Sequence, residues 1–414
     1  MRSIARFVVD THSHISTLYQ PKGDKSEQLR KEGKWDGMAH EVEAFYNSAL
    51  ALYDMDRYGV DMAILLPSMC GTFNETQVKL MNKYPDRFRA CCSDQMVATK
   101  VLRGEIKDWT IQTSLDEVEA ALKTGNFVGI GEFAPGLNVY RYGLAPAPDF
   151  QQRLEEWGAI CDLAVKYDVP VHFHEFIMFM RLGKTLWHHI DMLEAVARNN
   201  PKAKIIFNHG YKDPDLGVAD PLESMKEVYT MVSQYPNIYM ETGGWCEKNF
   251  EIAFDNGIRA CNLMWGHDYG NVPQHIYRKN IMDFRYDSKI GLMTDPRVFD
   301  YRKTDSQFGS GYKGLPTIPS YQPDFYGWGM RTIDRVGDWL TQDEINLIMG
   351  GTAARLYKLP VPHPRMFPEA RPDIFGENWR DMYPFIPDEQ IQNPDPFRIP
   401  IEKKFFDDDF TMDD

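Results

Sequence analysis

The chain has 414 residues, 43% of them hydrophobic and 13% aromatic, enough apolar surface for one large core and too much for a disordered chain. Sixty acidic against 46 basic residues give a formal charge of -14, which disfavours nucleic acid and anionic membrane surfaces as partners and leaves a small molecule as the expected substrate. The six cysteines are scattered with no C-x-x-C pair, so neither a disulfide framework nor a thiolate metal site is expected.

The first residues, Met1 to Asp10, hold an apolar run too short for a signal-peptide core, and no later run reaches the length of a membrane span. A cytoplasmic location is the expectation. Short β-branched or apolar runs then recur in chain order: Phe7 to Val9, Met62 to Leu66, Phe88 to Cys92, Phe127 to Ile130, Val169 to Phe173, Lys204 to Phe207, Ile238 to Met240 and Asn262 to Trp265. Between them lie amphipathic stretches such as Leu154 to Val165 and Asp191 to Ala197, with apolar residues at helical spacing. Eight strand-like runs alternating with helices predict an α/β fold, a (β/α)8 TIM barrel over residues 1–359. A helix containing Phe45 to Tyr53 follows the first strand, and a helix over Gln342 to Leu356 closes the ring. The stretch 269–340, dense in Tyr, Phe, Gly and Pro and without clear periodicity, reads as a long insertion after strand 8, a lid or an interface. Residues 360–414 read as a Pro-rich, acidic C-terminal extension. Aromatic insertions and proline-rich tails of this kind suit subunit contact, so a homodimer or higher homo-oligomer is expected.

The sharpest chemical signal is Val9-Asp10-Thr11-His12-Ser13-His14, in which two histidines two apart leave a strand end on the same side and can share one ion. Imidazole suits zinc first, with manganese, iron or cobalt as alternatives. Four further candidates stand at the ends of later strands, at one structural level: Glu132, His174, His209 and Asp268. Asp268 has the charge and basicity to take a proton from water and pass it to a leaving group. His209 serves either as a second-metal ligand or as an acid and stabiliser of a developing anion. Glu132 is either a bridging carboxylate, implying two ions rather than one, or an acceptor that orients a histidine. His172 shares the parity of His174 one layer deeper and reads as a hydrogen-bonded core residue, His267 points away from the ligands, and Glu241 reads chiefly as an acceptor for nearby backbone. Trp245 and Tyr269 are candidate walls for a flat organic substrate, and Arg278 and Arg285 candidate clamps for its carboxylate. Arg57 and Arg259 read as helix-surface residues.

Together with Met55-Asp56-Arg57-Tyr58-Gly59-Val60-Asp61, Tyr84-Pro85-Asp86-Arg87-Phe88, Gly266-His267-Asp268-Tyr269 and Gly350-Gly351-Thr352-Ala353-Ala354-Arg355-Leu356-Tyr357, the first motif resembles the amidohydrolase-related family that includes aminocarboxymuconate semialdehyde decarboxylase. The resemblance implies a barrel with one divalent metal bound at the positions of His12, His14, His174 and Asp268, with His209 as a catalytic group. Gly129-Ile130-Gly131-Glu132 departs from that pattern and resembles TatD-type hydrolases, in which the matching Glu binds metal. The expected activity is a metal-dependent hydrolase using activated water on a small organic acid or an aromatic or cyclic substrate. A metal-dependent non-oxidative decarboxylase is the alternative, and a non-catalytic binding barrel is a remote one, because every expected ligand position is filled.

Overall fold

The computed structural model describes residues 7–15, 51–52, 55–56, 58–67, 74–102, 104–132, 135–141, 143–175, 188–211, 221–243, 245–267 and 325–360. Its eight strands are β1 Val9–Ser13, β2 Met62–Leu65, β3 Phe88–Cys92, β4 Phe127–Ile130, β5 Val171–Phe173, β6 Ile205–Phe207, β7 Ile238–Glu241 and β8 Leu263–Met264. They form one sheet in the order β1 to β8, and the registered neighbours pair in parallel. The Thr11 amide donates to the Trp265 carbonyl at 3.0 Å, which brings the end of β8 back to β1. Consecutive parallel strands joined by helices, with the last bonded to the first, make the (β/α)8 barrel.

Among the described residues, contacts gather into two compact units. One holds the described residues among 7–15, 51–64 and 208–360, the other those among 65–207. The second unit contains β3 to β6 with helices α1 Asn74–Lys83, α2 Gln95–Leu102, α3 Ile111–Lys123, α4 Leu137–Arg141, α5 Phe150–Tyr167 and α6 His189–Asn199. Local sequence fixes their ends. Thr110 and Thr113 form a capping box at the start of α3, whose buried face is Ser114, Val118, Ala121 and Leu122, at helical spacing. Asp149 caps α5 by accepting from the Gln152 amide at 2.8 Å, and α5 stops where Asp168 turns left-handed at φ 51°.

The first unit carries β7 and β8 with α7 Pro221–Ser233, α8 Glu247–Asp255, α9 Phe325–Val336, α10 Gln342–Asn346 and α11 Thr352–Tyr357. The expected closing helix over Gln342 to Leu356 is present as α10 and α11 joined by a π turn, Leu347–Gly351. This turn packs against the sheet: the Trp265 amide donates to the Ile348 carbonyl at 2.8 Å. A Cβ at Gly350 would collide with the Phe7 carbonyl, so only glycine lets the turn approach this closely.

The first strand was expected over Phe7 to Val9 but runs Val9–Ser13, so His12 lies within it; the run Asp10 to Ser13 is polar in composition yet fully buried, which hid its strand character. The stretch 269–340 was expected to lack periodicity, but α9 lies inside it, burying Tyr326, Met330, Ile333 and Val336. Gly327 and Gly329 are weak helix formers, and tertiary packing of that face overrides them. The helix containing Phe45 to Tyr53 lies largely outside the described residues, as do residues 361–414. No helix among the described residues is long and apolar enough to cross a membrane.

Candidate metal centre

Asp10 and His12 share one parity on β1, His14 follows at the same parity one residue beyond its end, and all three are buried. The Nε2 atoms of His12 and His14 lie 3.2 Å apart. His12 Nδ1 faces Glu241 Oε2 at 2.9 Å. A carboxylate can only accept, so Nδ1 carries the proton and Nε2 of His12 presents its lone pair. Two imidazole nitrogens on one tetrahedral ion, with bonds of about 2.05 Å, sit about 3.4 Å apart, so the pair fits a divalent metal without rearrangement.

Glu241 ends β7 and is completely buried. Besides His12, its Oε2 accepts the His209 backbone amide at 2.8 Å and lies 3.7 Å from His209 Nδ1. Its Oε1 is walled by Gly243 and Gly266; a Cβ at Gly266 would stand 2.5 Å from that oxygen. The three residues His12, His209 and Glu241 offer ligand atoms within 4.8 Å of one another. Glu241 is therefore more than the acceptor for nearby backbone that its sequence position suggested. The two glycines that flank it, one after β7 and one after β8, are the signal that could have marked it.

His209 stacks on His12, with ring centroids 4.8 Å apart and planes inclined by 29°. It opens a left-handed run, with φ 58° at His209, 49° at Gly210 and 55° at Tyr211. Gly210 is required there, since a Cβ would meet the Glu241 carbonyl at 2.8 Å and the Trp245 ring at 2.9 Å. Trp245, expected as a substrate wall, is 2% exposed. Its indole donates to the His209 carbonyl at 3.1 Å, and its ring packs on Tyr229 and Phe250. Burial and that hydrogen bond make it a support for the His209 loop rather than a wall.

Asp10 was given no role by the sequence, although parity with His12 could have flagged it. Its Oδ1 accepts the amides of His12 and His267, each at 3.1 Å, and its Oδ2 accepts the hydroxyls of Ser13 at 2.5 Å and Tyr326 at 3.0 Å. Burial raises its pKa to about 6 against the opposing pull of those hydrogen bonds. His267 is held to about 3, chiefly by burial, so its imidazole is neutral. Its ring lies 4.3 Å from that of Trp265 and close over Gly329, where a Cβ would collide with it.

In the second unit, Glu132 Oε1 and His174 Nε2 are 3.0 Å apart and both residues are buried. Gly131 precedes Glu132 at φ 124°, where a Cβ would stand 2.6 Å from His172 Cβ. His172 is fully buried beneath. The residue after His174, Glu175, accepts on Oε1 from Arg153 Nε at 2.9 Å, Arg153 Nη2 at 2.6 Å and the Trp157 indole at 2.6 Å. Arg153 also donates to Glu156 at 2.9 Å and to the Pro135 carbonyl at 2.7 Å, and Tyr140 donates to Glu156. A buried guanidinium between two carboxylates thus anchors the backbone at His174. Asp268, Tyr269, Arg278 and Arg285 lie outside the described residues.

No curated protein matches the sequence significantly. Among solved structures, the chain is similar to a Burkholderia multivorans amidohydrolase with bound zinc, at 12% identity and a TM-score of 0.50, over 86% of this chain and 100% of that one. It is also similar to a probable 2-pyrone-4,6-dicarboxylic acid hydrolase from Acinetobacter baumannii (12%, TM-score 0.47, 85% and 99%) and to a 4-oxalomesaconate hydratase from Rhodopseudomonas palustris (15%, TM-score 0.46, 85% and 96%). The first of these supports the fold alone. The family model described as amidohydrolase matches residues 9–359, and the chain belongs to the amidohydrolase family.

Proposed function

We propose that the chain is a metal-dependent hydrolase of a small organic acid or an aromatic or cyclic compound, with His12, His14, His174 and Asp268 as ligands of one divalent ion, zinc first. The observation that carries this reading is the 3.2 Å approach of His12 Nε2 and His14 Nε2 while Glu241 holds the opposite nitrogen of His12. Such a carboxylate behind a histidine fixes its tautomer and raises its basicity as a ligand.

When bound, the ion supplies Lewis acidity, polarising a substrate oxygen and letting water ionise near neutral pH. Asp268 takes the proton of the attacking water and returns it to the leaving group. His209, fixed through its amide to Glu241 and through its carbonyl to Trp245, presents its ring to the charge that develops on the substrate. Glu132, 3.0 Å from His174, supplies a further carboxylate and favours hydrolysis over decarboxylation, which needs a proton donor but no base for water.

Protein purified without chelators is to be analysed for metal, then assayed in oxygen-18 water against lactones, esters and aromatic carboxylic acids. The reading expects bound divalent metal and one labelled oxygen in each product molecule. Stoichiometric carbon dioxide release without label would replace it with a carboxy-lyase.

A further inference from the structure

A cavity of about 360 Å³ opens in the first unit at the amino ends of β7 and β8, formed by the connections α7–β7 and α8–β8 and by α11. It lies at the opposite ends of these strands from Glu241 and from Trp265 to His267, about 10 Å along β7 from Glu241. Two arginines line it, Arg259 and Arg355, and no lining residue is acidic, in a chain where acids outnumber bases 60 to 46. Among the described residues Arg259 has no hydrogen-bond or ion-pair partner for its guanidinium. Arg355 donates one Nη2 bond to the Cys261 carbonyl at 2.9 Å, which aims the group without neutralising it. Other exposed cations of the described residues are arranged otherwise: Lys123, Lys166, Lys226, Lys248 and Arg335 each reach a carboxylate. The rest of the lining is largely apolar or aromatic, with Tyr235, Ile238, Tyr239 and Ile258.

We propose that this cavity is a second ligand site, which binds a small organic carboxylate through Arg259 and Arg355 and seats its apolar body against Tyr235 and Tyr239. Two guanidinium groups offer planar forked donors that match a carboxylate, and the volume lies within the range of small-molecule pockets. The Asn262 side chain bonds the Ile238 carbonyl at 3.2 Å, tying the starts of the two strands into a fixed floor. The site is independent of the metal reading, because none of its residues belongs to that centre.

The test is calorimetric titration of the full chain, as purified with its metal, using benzoate and inorganic phosphate as probes. Benzoate should bind saturably to wild type and to His12→Ala, which disables the metal centre, while Arg259→Ala and Arg355→Ala each weaken binding at least tenfold. Arg259→Ala, at an exposed position, should keep the wild-type metal content and thermal midpoint. Benzoate binding that is unchanged in both arginine variants, or present in wild type and lost only in His12→Ala, would overturn the site. Phosphate binding more tightly than benzoate would overturn the apolar-bodied ligand.

Discussion

The Tyr326 hydroxyl donates to Oδ2 of Asp10 at 3.0 Å, joining α9 to the strand that carries His12 and His14 across 316 positions of sequence. Replacing Tyr326 by phenylalanine leaves a buried carboxylate one donor short. A loss of about 1–3 kcal/mol is expected, read as a lower urea midpoint, with metal content unchanged. A variant as stable as wild type would show that the bond contributes nothing net.

Glu241→Gln keeps volume and an acceptor oxygen but removes the charge behind His12. Metal affinity should fall about 10–100-fold in competition with a chromophoric chelator, while the thermal midpoint of metal-free protein moves little. Equal affinity in variant and wild type would remove Glu241 from the metal centre.

Arg153→Met strands Glu156 and Glu175 without their cation and should cost about 3–5 kcal/mol. The triple variant Arg153→Met, Glu156→Gln, Glu175→Gln should recover most of it, because no buried charge is left unpaired. Urea unfolding of both variants reads the difference; a triple variant no more stable than the single one would contradict the ion-pair account.

Asp94 accepts the Gly136 amide in the second unit, and burial raises its pKa to about 6 from an ordinary value of 3.8. Between those values the folded chain holds a proton that the unfolded chain has released. Stability from this group is therefore greatest below pH 4 and declines as pH rises to 6, by on the order of 3 kcal/mol. Asp94→Asn should flatten that part of the stability profile measured by urea midpoint from pH 4 to 7; an identical slope in the variant would refute the assignment.

The strand order was legible because parallel barrel strands announce themselves as separate apolar runs, and the approach of the two histidines because alternate residues at a strand end face one side, which brings their Nε2 atoms to 3.2 Å. Two partners of that motif were less legible. Asp10 and Glu241 act through hydrogen bonds to residues more than two hundred positions away, and their local marks, parity with His12 for Asp10 and Gly243 beside Glu241, do not reveal those partners. Trp245 misled for a related reason: composition marks an aromatic near a strand end, while only packing reveals that its indole is already spent on His209. Helix α9 was hidden by its glycines, one of which leaves room for the His267 ring.

The Thr11 amide finds its acceptor only at Trp265, and Trp265 in turn bonds the π turn at Ile348. During synthesis the first strand therefore leaves the ribosome long before the segments that complete its edge exist. Until Trp265, 254 positions further on, has emerged, that edge of the first strand lacks the acceptor it has in the folded chain. Metal acquired before that point would meet the two imidazoles of a loose strand rather than a finished socket.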